Sequence, residues 1–380
     1  MNIENSSHEP IRMGMVGGGE GAFIGKVHRL SARLDGQIDL VCGAFSRDPE
    51  NTKRTGASLG LEPSRCYADF ETMMRAEAAL PEDQRMQFVS IVTPNHMHFP
   101  IAKAALEAGF HVLSDKPATL NLKEARALRK IVQAHESLCY GLTHTYLGYP
   151  LVGVARHIIE TGGIGKVRKV FVEYIQGWLA RGVGDDKDVW RIDPVRSGIS
   201  GCMSDIGTHA HNLAEFVTGK HMTHVAADLT IFGEGRRLDD DGSVLFRMED
   251  GIKGVLSASQ ICVGKENSLS IRVYGETGGL EWRQEEPNTL LRTYVDRPME
   301  VIRSAHGYLP EGTKKWFRTP PGHPGGYIEA FANLYLEFAH AIQTKTGVRT
   351  GIDGAVRGMA FVEALIKSSE KKSKWVQIKL

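Results

Sequence analysis

Met13-Gly14-Met15-Val16-Gly17-Gly18-Gly19-Glu20-Gly21-Ala22-Phe23-Ile24-Gly25 decides the fold of this chain. It reads as a short apolar strand running into a glycine-rich turn and then a helix. Glycine permits the tight turn and lets backbone N–H groups approach a ligand closely. The positive end of the helix that follows points at the turn, which favours a phosphate anion. The stretch therefore predicts a dinucleotide site, with Gly17, Gly19, Ala22, Phe23, Ile24 and Gly25 against the cofactor. The chain holds 42 glycines in 380 residues, enough for one such cluster to arise by chance, so the pattern elsewhere decides.

Working outward, apolar runs at 11–16, 38–45, 88–92, 111–113 and 138–142 alternate with helical spacing at 25–34, 49–59, 70–79, 100–108 and 122–135. Strands that alternate with helices imply parallel βαβ units in a doubly wound sheet, which binds ligands at the carboxyl ends of its strands. After residue 145 the pattern changes. A helix at 151–160 precedes strand-like runs at 167–175, 225–232, 243–248, 253–261, 269–274 and 280–283. Strands with few helices between them predict one large, mostly antiparallel open sheet. The fold class is α/β, divided into a disordered tail at 1–9, a dinucleotide-binding domain at 10–145 and a substrate and oligomerisation domain at 146–380. The segment 296–325 carries five prolines and reads as an irregular lid, and the charged run 234–241 as a solvated hairpin loop.

A formal net charge of +1 offers nothing to attract nucleic acid or an anionic membrane. The five cysteines are scattered without a C-x-x-C pair, which argues against a disulfide framework or a zinc cage. No apolar run is long enough to span a bilayer, and residues 1–10 lack a signal-peptide core. A reducing, cytoplasmic compartment is expected.

Three later stretches carry chemistry. Thr93-Pro94-Asn95-His96-Met97-His98 follows the strand at 88–92. Thr93, Asn95 and His98 stand where they can hydrogen-bond a nicotinamide or its ribose, or where Asn95 simply caps a turn. Ser114-Asp115-Lys116-Pro117 ends the next strand. Lys116 there either polarises a substrate oxygen, with Asp115 paired to it, or lies exposed at a turn; Lys is rarely buried unpaired. In Gly201 to Asn212, Asp205 and His209 stand four apart, which on a helix shares one face. A carboxylate beside an imidazole orients it and raises its basicity. His209 and His211 lie two apart with no further ligand, so no metal is expected.

In this order the glycine turn, Thr93-Pro94-Asn95 with a following His, Asp115-Lys116-Pro117 and Asp205-x-x-x-His209 resemble the Gfo/Idh/MocA oxidoreductases, which include glucose–fructose oxidoreductase and inositol dehydrogenases. The resemblance spans residue 11 to the end. It implies a Rossmann domain followed by an α/β domain whose open sheet forms homodimers or homotetramers. It implies NAD or NADP as cofactor and a sugar, glycoside or cyclitol as substrate. It implies Lys116 as the catalytic lysine, His209 as acid/base and Asp205 as the carboxylate that tunes it.

The chain also departs from that family. Asp115 replaces the usual Glu, and the glycine turn is longer than G-x-G-x-x-G, which predicts a loop reaching further over the pyrophosphate. Asn212 stands in place of an Asp that often meets sugar hydroxyls, and Leu147 in place of an Arg. At the end of the second strand Ser46 occupies the position expected to be acidic, and Arg47 suits a 2′-phosphate, which favours NADP or dual use, unless Asp48 reaches the ribose. Tyr146, Trp178, Arg191, Asn212 and Tyr327 are candidate substrate contacts, Trp178 alternatively a core residue. Three functions fit. The first is an NAD(P)-dependent dehydrogenase acting on CH–OH groups. The second is a glycosidase that oxidises transiently and recycles bound NAD. The third is a non-catalytic dinucleotide-binding regulator.

Overall fold

The computed structural model describes residues 9–181 and 190–380. The expected tail therefore lies, apart from Glu9, outside the described residues. Strands β1 (Ile11–Gly17), β2 (Ile38–Ala44), β3 (Phe88–Val92), β4 (His111–Ser114) and β5 (Tyr140–Leu142) form one parallel sheet in the order β2-β1-β3-β4-β5. Helices α1 (Phe23–Arg33), α2 (Pro49–Ser58), α3 (Phe70–Ala78), α4 (His98–Glu107) and α5 (Leu122–Ala134) connect them. Strand β3 is buried along its whole length, as a strand covered by helices on both faces must be. The strand order reverses between β1 and β3, which opens a crevice at their carboxyl ends.

The second half begins with α6 (Pro150–Glu160), β6 (Lys169–Ile175), the short α7 (Pro194–Ser197) and α8 (Thr208–Thr218). Strands β7 (Met222–Thr230), β8 (Asp241–Met248), β9 (Lys253–Ser259), β10 (Ser268–Tyr274), β11 (Gly278–Arg283), β12 (Thr289–Tyr294) and β13 (Glu300–Arg303) follow. With β14 (Val376–Gln377) they build a nine-stranded sheet, β13-β12-β11-β10-β6-β9-β8-β7-β14. Every pairing is antiparallel except β6 with β9. Strand β8 shows the expected alternation, with Val244 and Phe246 inward and Leu245 outward.

The last helices do not stay with that sheet. Helix α10 (Tyr327–Thr344) packs on α1 and seats Phe331, Tyr335 and Phe338 in the same core as Met13, Met15 and Phe88 of the parallel sheet. Each of the three is about 1% exposed, and burying an aromatic side chain contributes roughly 1.5–3 kcal/mol. Helix α11 (Ile352–Glu370) packs on both α5 and β7. The 10–145 unit thus completes its core with residues from beyond 326. The proline-rich segment is pinned rather than lid-like: Arg318 reaches Asp35 at 2.5 and 2.8 Å and Asn333 at 2.8 Å. The short helix α9 (Glu311–Lys314) lies within that segment.

Candidate active site

Strand β1 ends on Gly17, and the chain turns through Gly17 and Gly18 at φ +86° and +74°. That region strains any residue with a Cβ. Gly18 and Gly25 then press together: a Cβ on Gly25 would stand 2.3 Å from the Gly18 Cα. Gly25 therefore brings α1 against the turn and does not itself line the cleft. Arg29 on α1 holds the Gly18 carbonyl at 2.6 Å. Helix α1 starts after Ala22, which makes no side-chain cap bond, so its first N–H groups are left for a ligand. Of the additional turn residues, Glu20 leans on α2, while Gly21, Ala22 and Phe23 line the cleft between the two sheets. The Glu20 N–H donates to Asn51 Oδ1 and Thr55 Oγ1 at 3.1 and 3.0 Å, and Arg54 donates to the Glu20 carboxylate at 3.1 Å.

This turn forms one end of a cleft of about 1390 Å³ between the two sheets. Ser46 and Arg47 line it at the end of β2. The Asp48 carboxylate accepts the Glu50 N–H as the cap of α2. Thr93 lines the cleft with a buried hydroxyl that has no partner. The uncapped helix start and this unpartnered hydroxyl fit a dinucleotide. Asn95 lies at the cleft edge and ties it to α7 by donating to the Ser197 carbonyl at 2.9 Å. His98 is placed elsewhere. Its ring nitrogens meet the Pro117 and Thr93 carbonyls at 2.6 and 2.8 Å, and it is buried outside the cleft lining. It fixes the two strand-end loops against each other; His96, on the same turn, lines the cleft instead.

The Lys116–Pro117 bond is cis. Lys116 Nζ donates to the Asp205 carbonyl at 2.6 Å and to Asp205 Oδ1 at 2.8 Å. Asp115 does not pair with the ammonium as expected: its Oδ1 accepts the Lys116 N–H at 2.8 Å and the Thr143 hydroxyl at 2.9 Å. Nor does the Asp205 carboxylate orient His209. It sits in a π-helical turn, Met203–Gly207, and engages Lys116, Gln260 at 2.9 Å and Arg191 at 3.8 Å. Burial alone would raise the Asp205 carboxyl, but Lys116, Arg191 and Gln260 outweigh it and hold the group below the usual value. Its Lys116 pair is only partly exposed, so water screens it weakly.

His209 stands in the first turn of the regular helix α8 and lines the cleft. Its Nδ1 faces His144 Nδ1 at 3.3 Å, and Tyr146 packs edge-on at 4.8 Å between ring centroids. Burial, the Lys116 ammonium and His144 hold His209 well below the ordinary imidazole value, so it is neutral. The Tyr146 hydroxyl meets that of Tyr174 and accepts from Asn267 Nδ2 at 3.1 Å. Trp178, Arg191 and Tyr327 line the cleft, Trp178 41% exposed. Asn212 does not: it points to Thr350 at 3.5 Å, one turn along α8 from His209.

Sequence reasoning missed several groups. Asn267, just before β10, accepts from Tyr174 and Gln176 at 2.6 and 2.8 Å and donates to Gln284 at 3.3 Å. No motif marks it. Asp239 accepts the Gly201 and Met203 N–H groups, each at 2.9 Å, and so shapes the π turn. Asp240 is fully buried and paired with Arg236 at 2.6 Å. The run 234–241 is thus the hairpin connection between β7 and β8, exposed at Glu234 and Arg237 but anchored inward through Asp239 and Asp240. Among the described residues no group of His, Cys, Asp and Glu could hold a metal.

The oxidoreductase family with an NAD-binding Rossmann fold matches residues 11–142, and the GFO/IDH/MocA C-terminal domain matches residues 152–281. A Bacillus subtilis protein described as the uncharacterized oxidoreductase YfiI is 32% identical over the full length of both chains. The chain belongs to the GFO/IDH/MocA oxidoreductases. An inositol dehydrogenase homolog from Azotobacter vinelandii complexed with NAD+ has TM-score 0.91 at 35% identity, covering 97% of each chain. The same homolog complexed with NADH and myo-inositol has TM-score 0.90 at 34% identity, covering 97% of this chain and 98% of that one. Levoglucosan dehydrogenase from Pseudarthrobacter phenanthrenivorans is 24% identical over 97% of this chain and 98% of its own. This member of the family is an NAD(P)-binding oxidoreductase whose glycine turn, cleft and Lys116 lie along one crevice. Among the described residues no helix is long and apolar enough to cross a membrane.

Proposed function

We propose that this enzyme oxidises a hydroxyl of a sugar, glycoside or cyclitol with NAD or NADP. One observation carries the reading: Lys116 and His209 line the same cleft as the glycine turn. Gly17 to Ile24 and Thr93 hold the cofactor, which when bound accepts the hydride. Neutral His209 takes the hydroxyl proton, and Lys116 Nζ stabilises the developing alkoxide. Tyr174, Gln176, Asn267 and Gln284 present hydroxyls and amides to the cleft, suited to a neutral polyol. The relatives named for myo-inositol and levoglucosan support that class. Arg47, with Asp48 engaged as a helix cap, supports use of NADP beside NAD. Homo-oligomers would form through the outer face of the nine-stranded sheet, where Leu245 and Tyr274 are exposed.

The test is reduction of NAD+ and NADP+ with a panel of sugars, glycosides and cyclitols. Net reduced cofactor is expected with at least one polyol, and a loss of about 10³-fold or more in kcat for Lys116→Ala and His209→Asn. Product without net reduced cofactor would select the glycosidase. Biological activity untouched by both substitutions would select the regulator.

A further inference from the structure

The Asp205 carboxylate belongs to Lys116, so His209 must be oriented by something else. His144 lies just beyond β5, between Thr143 and Thr145, which both line the cleft; His144 itself does not. It is 5% exposed and His209 7%. The two rings meet edge-to-face, centroids 5.2 Å apart and planes at 88°, with the two Nδ1 atoms 3.3 Å apart. Two facing nitrogens form a hydrogen bond only when one of them carries a proton. The tautomers of the pair are therefore locked to each other.

We propose that His144 is the positioning residue for His209: its Nδ1 accepts the His209 Nδ1–H, which leaves the His209 Nε2 lone pair for the substrate hydroxyl. The inference rests on the dehydrogenase reading of this site. Three features fit this arrangement. Burial, Lys116 and His211 push His144 down to about 3, so it is neutral and free to accept. Lys116 and His209 line the same cleft, and the ammonium charge disfavours a second N–H on the His209 ring. The ring of Tyr146 packs edge-on against His209 and restricts its rotation. A neutral imidazole fixes the tautomer of its partner as a carboxylate does, but it adds no negative charge. His209 therefore stays a weak base, and the burden of oxyanion stabilisation falls on Lys116.

The test pairs kinetics with spectroscopy on the full chain. His144→Phe keeps a ring and removes the acceptor; His144→Asn places an amide oxygen near the lost Nδ1. With the polyol found by the panel, His144→Phe is expected to lower kcat about 100-fold with KM within about threefold. His144→Asn is expected to recover at least tenfold of that loss. In the NAD+ complex, imidazole ¹⁵N spectra are expected to show neutral His209 protonated at Nδ1. A His144→Phe kcat within threefold of the parent, absence of recovery in His144→Asn, or His209 protonated at Nε2 would each overturn the inference. If instead His209→Asn keeps full kcat, the dehydrogenase reading fails, and the ¹⁵N spectrum still decides the tautomer.

Discussion

In the proposed reaction Lys116 stabilises the alkoxide, and two oxygens of one residue hold Lys116 in place. The Asp205 carbonyl fixes Nζ at 2.6 Å and the carboxylate at 2.8 Å. An ammonium bound twice to one residue has little freedom to wander, and its charge is aimed rather than smeared. Asp205→Asn removes the charged anchor and leaves the carbonyl. Removing one partner of a buried pair commonly costs 3–5 kcal/mol, but the retained carbonyl limits the damage to catalysis. The expected outcome is a 10–100-fold lower kcat, or about 1.4–2.8 kcal/mol, with the pH profile of kcat unchanged in shape. A shifted limb would mean that the Asp205 carboxylate acts on His209 after all. Lys116 and His209 were legible as chemistry because their residue types stand at a strand end and a helix start. The partner of Asp205 was not, because the i, i+4 argument assumes a regular helix and Asp205 lies in a π turn held by Asp239.

The glycine-turn element was legible in kind, and the structure supplies what each glycine does. Gly17 and Gly18 serve conformation, whereas Gly25 serves approach. Gly25→Ala puts a methyl into the Gly18 backbone and must push α1 away from β1. The expected result is a cofactor Kd raised at least tenfold by titration calorimetry, with the far-UV circular dichroism of the parent retained. An unchanged Kd would show that this close approach does not shape the site. The extra length of the turn was legible in the sequence, but the contacts that seat Glu20 were not. They come from Asn51, Arg54 and Thr55 of α2, which no local pattern connects to Glu20. For the same reason His144 and Asn267 were invisible: each enters the site from a loop whose neighbours are set only by sheet order.

At the scale of the molecule, alternation of strand and helix identified both sheets, since periodicity survives without knowledge of contacts. It did not foresee that α10 returns to complete the core of the parallel sheet. That return places Tyr327 and Phe331, near the start of α10, on the cleft wall, so the two halves wall one cleft instead of docking two finished domains. The central claim is that this shared cleft passes a hydride from a polyol carbon to the nicotinamide. The most direct measurement uses a polyol deuterated at its carbinol carbons and mass spectrometry of the cofactor after one turnover. One deuterium on the reduced nicotinamide per enzyme site, lost in Lys116→Ala, is the predicted result. Product formed with an unlabelled cofactor would contradict it.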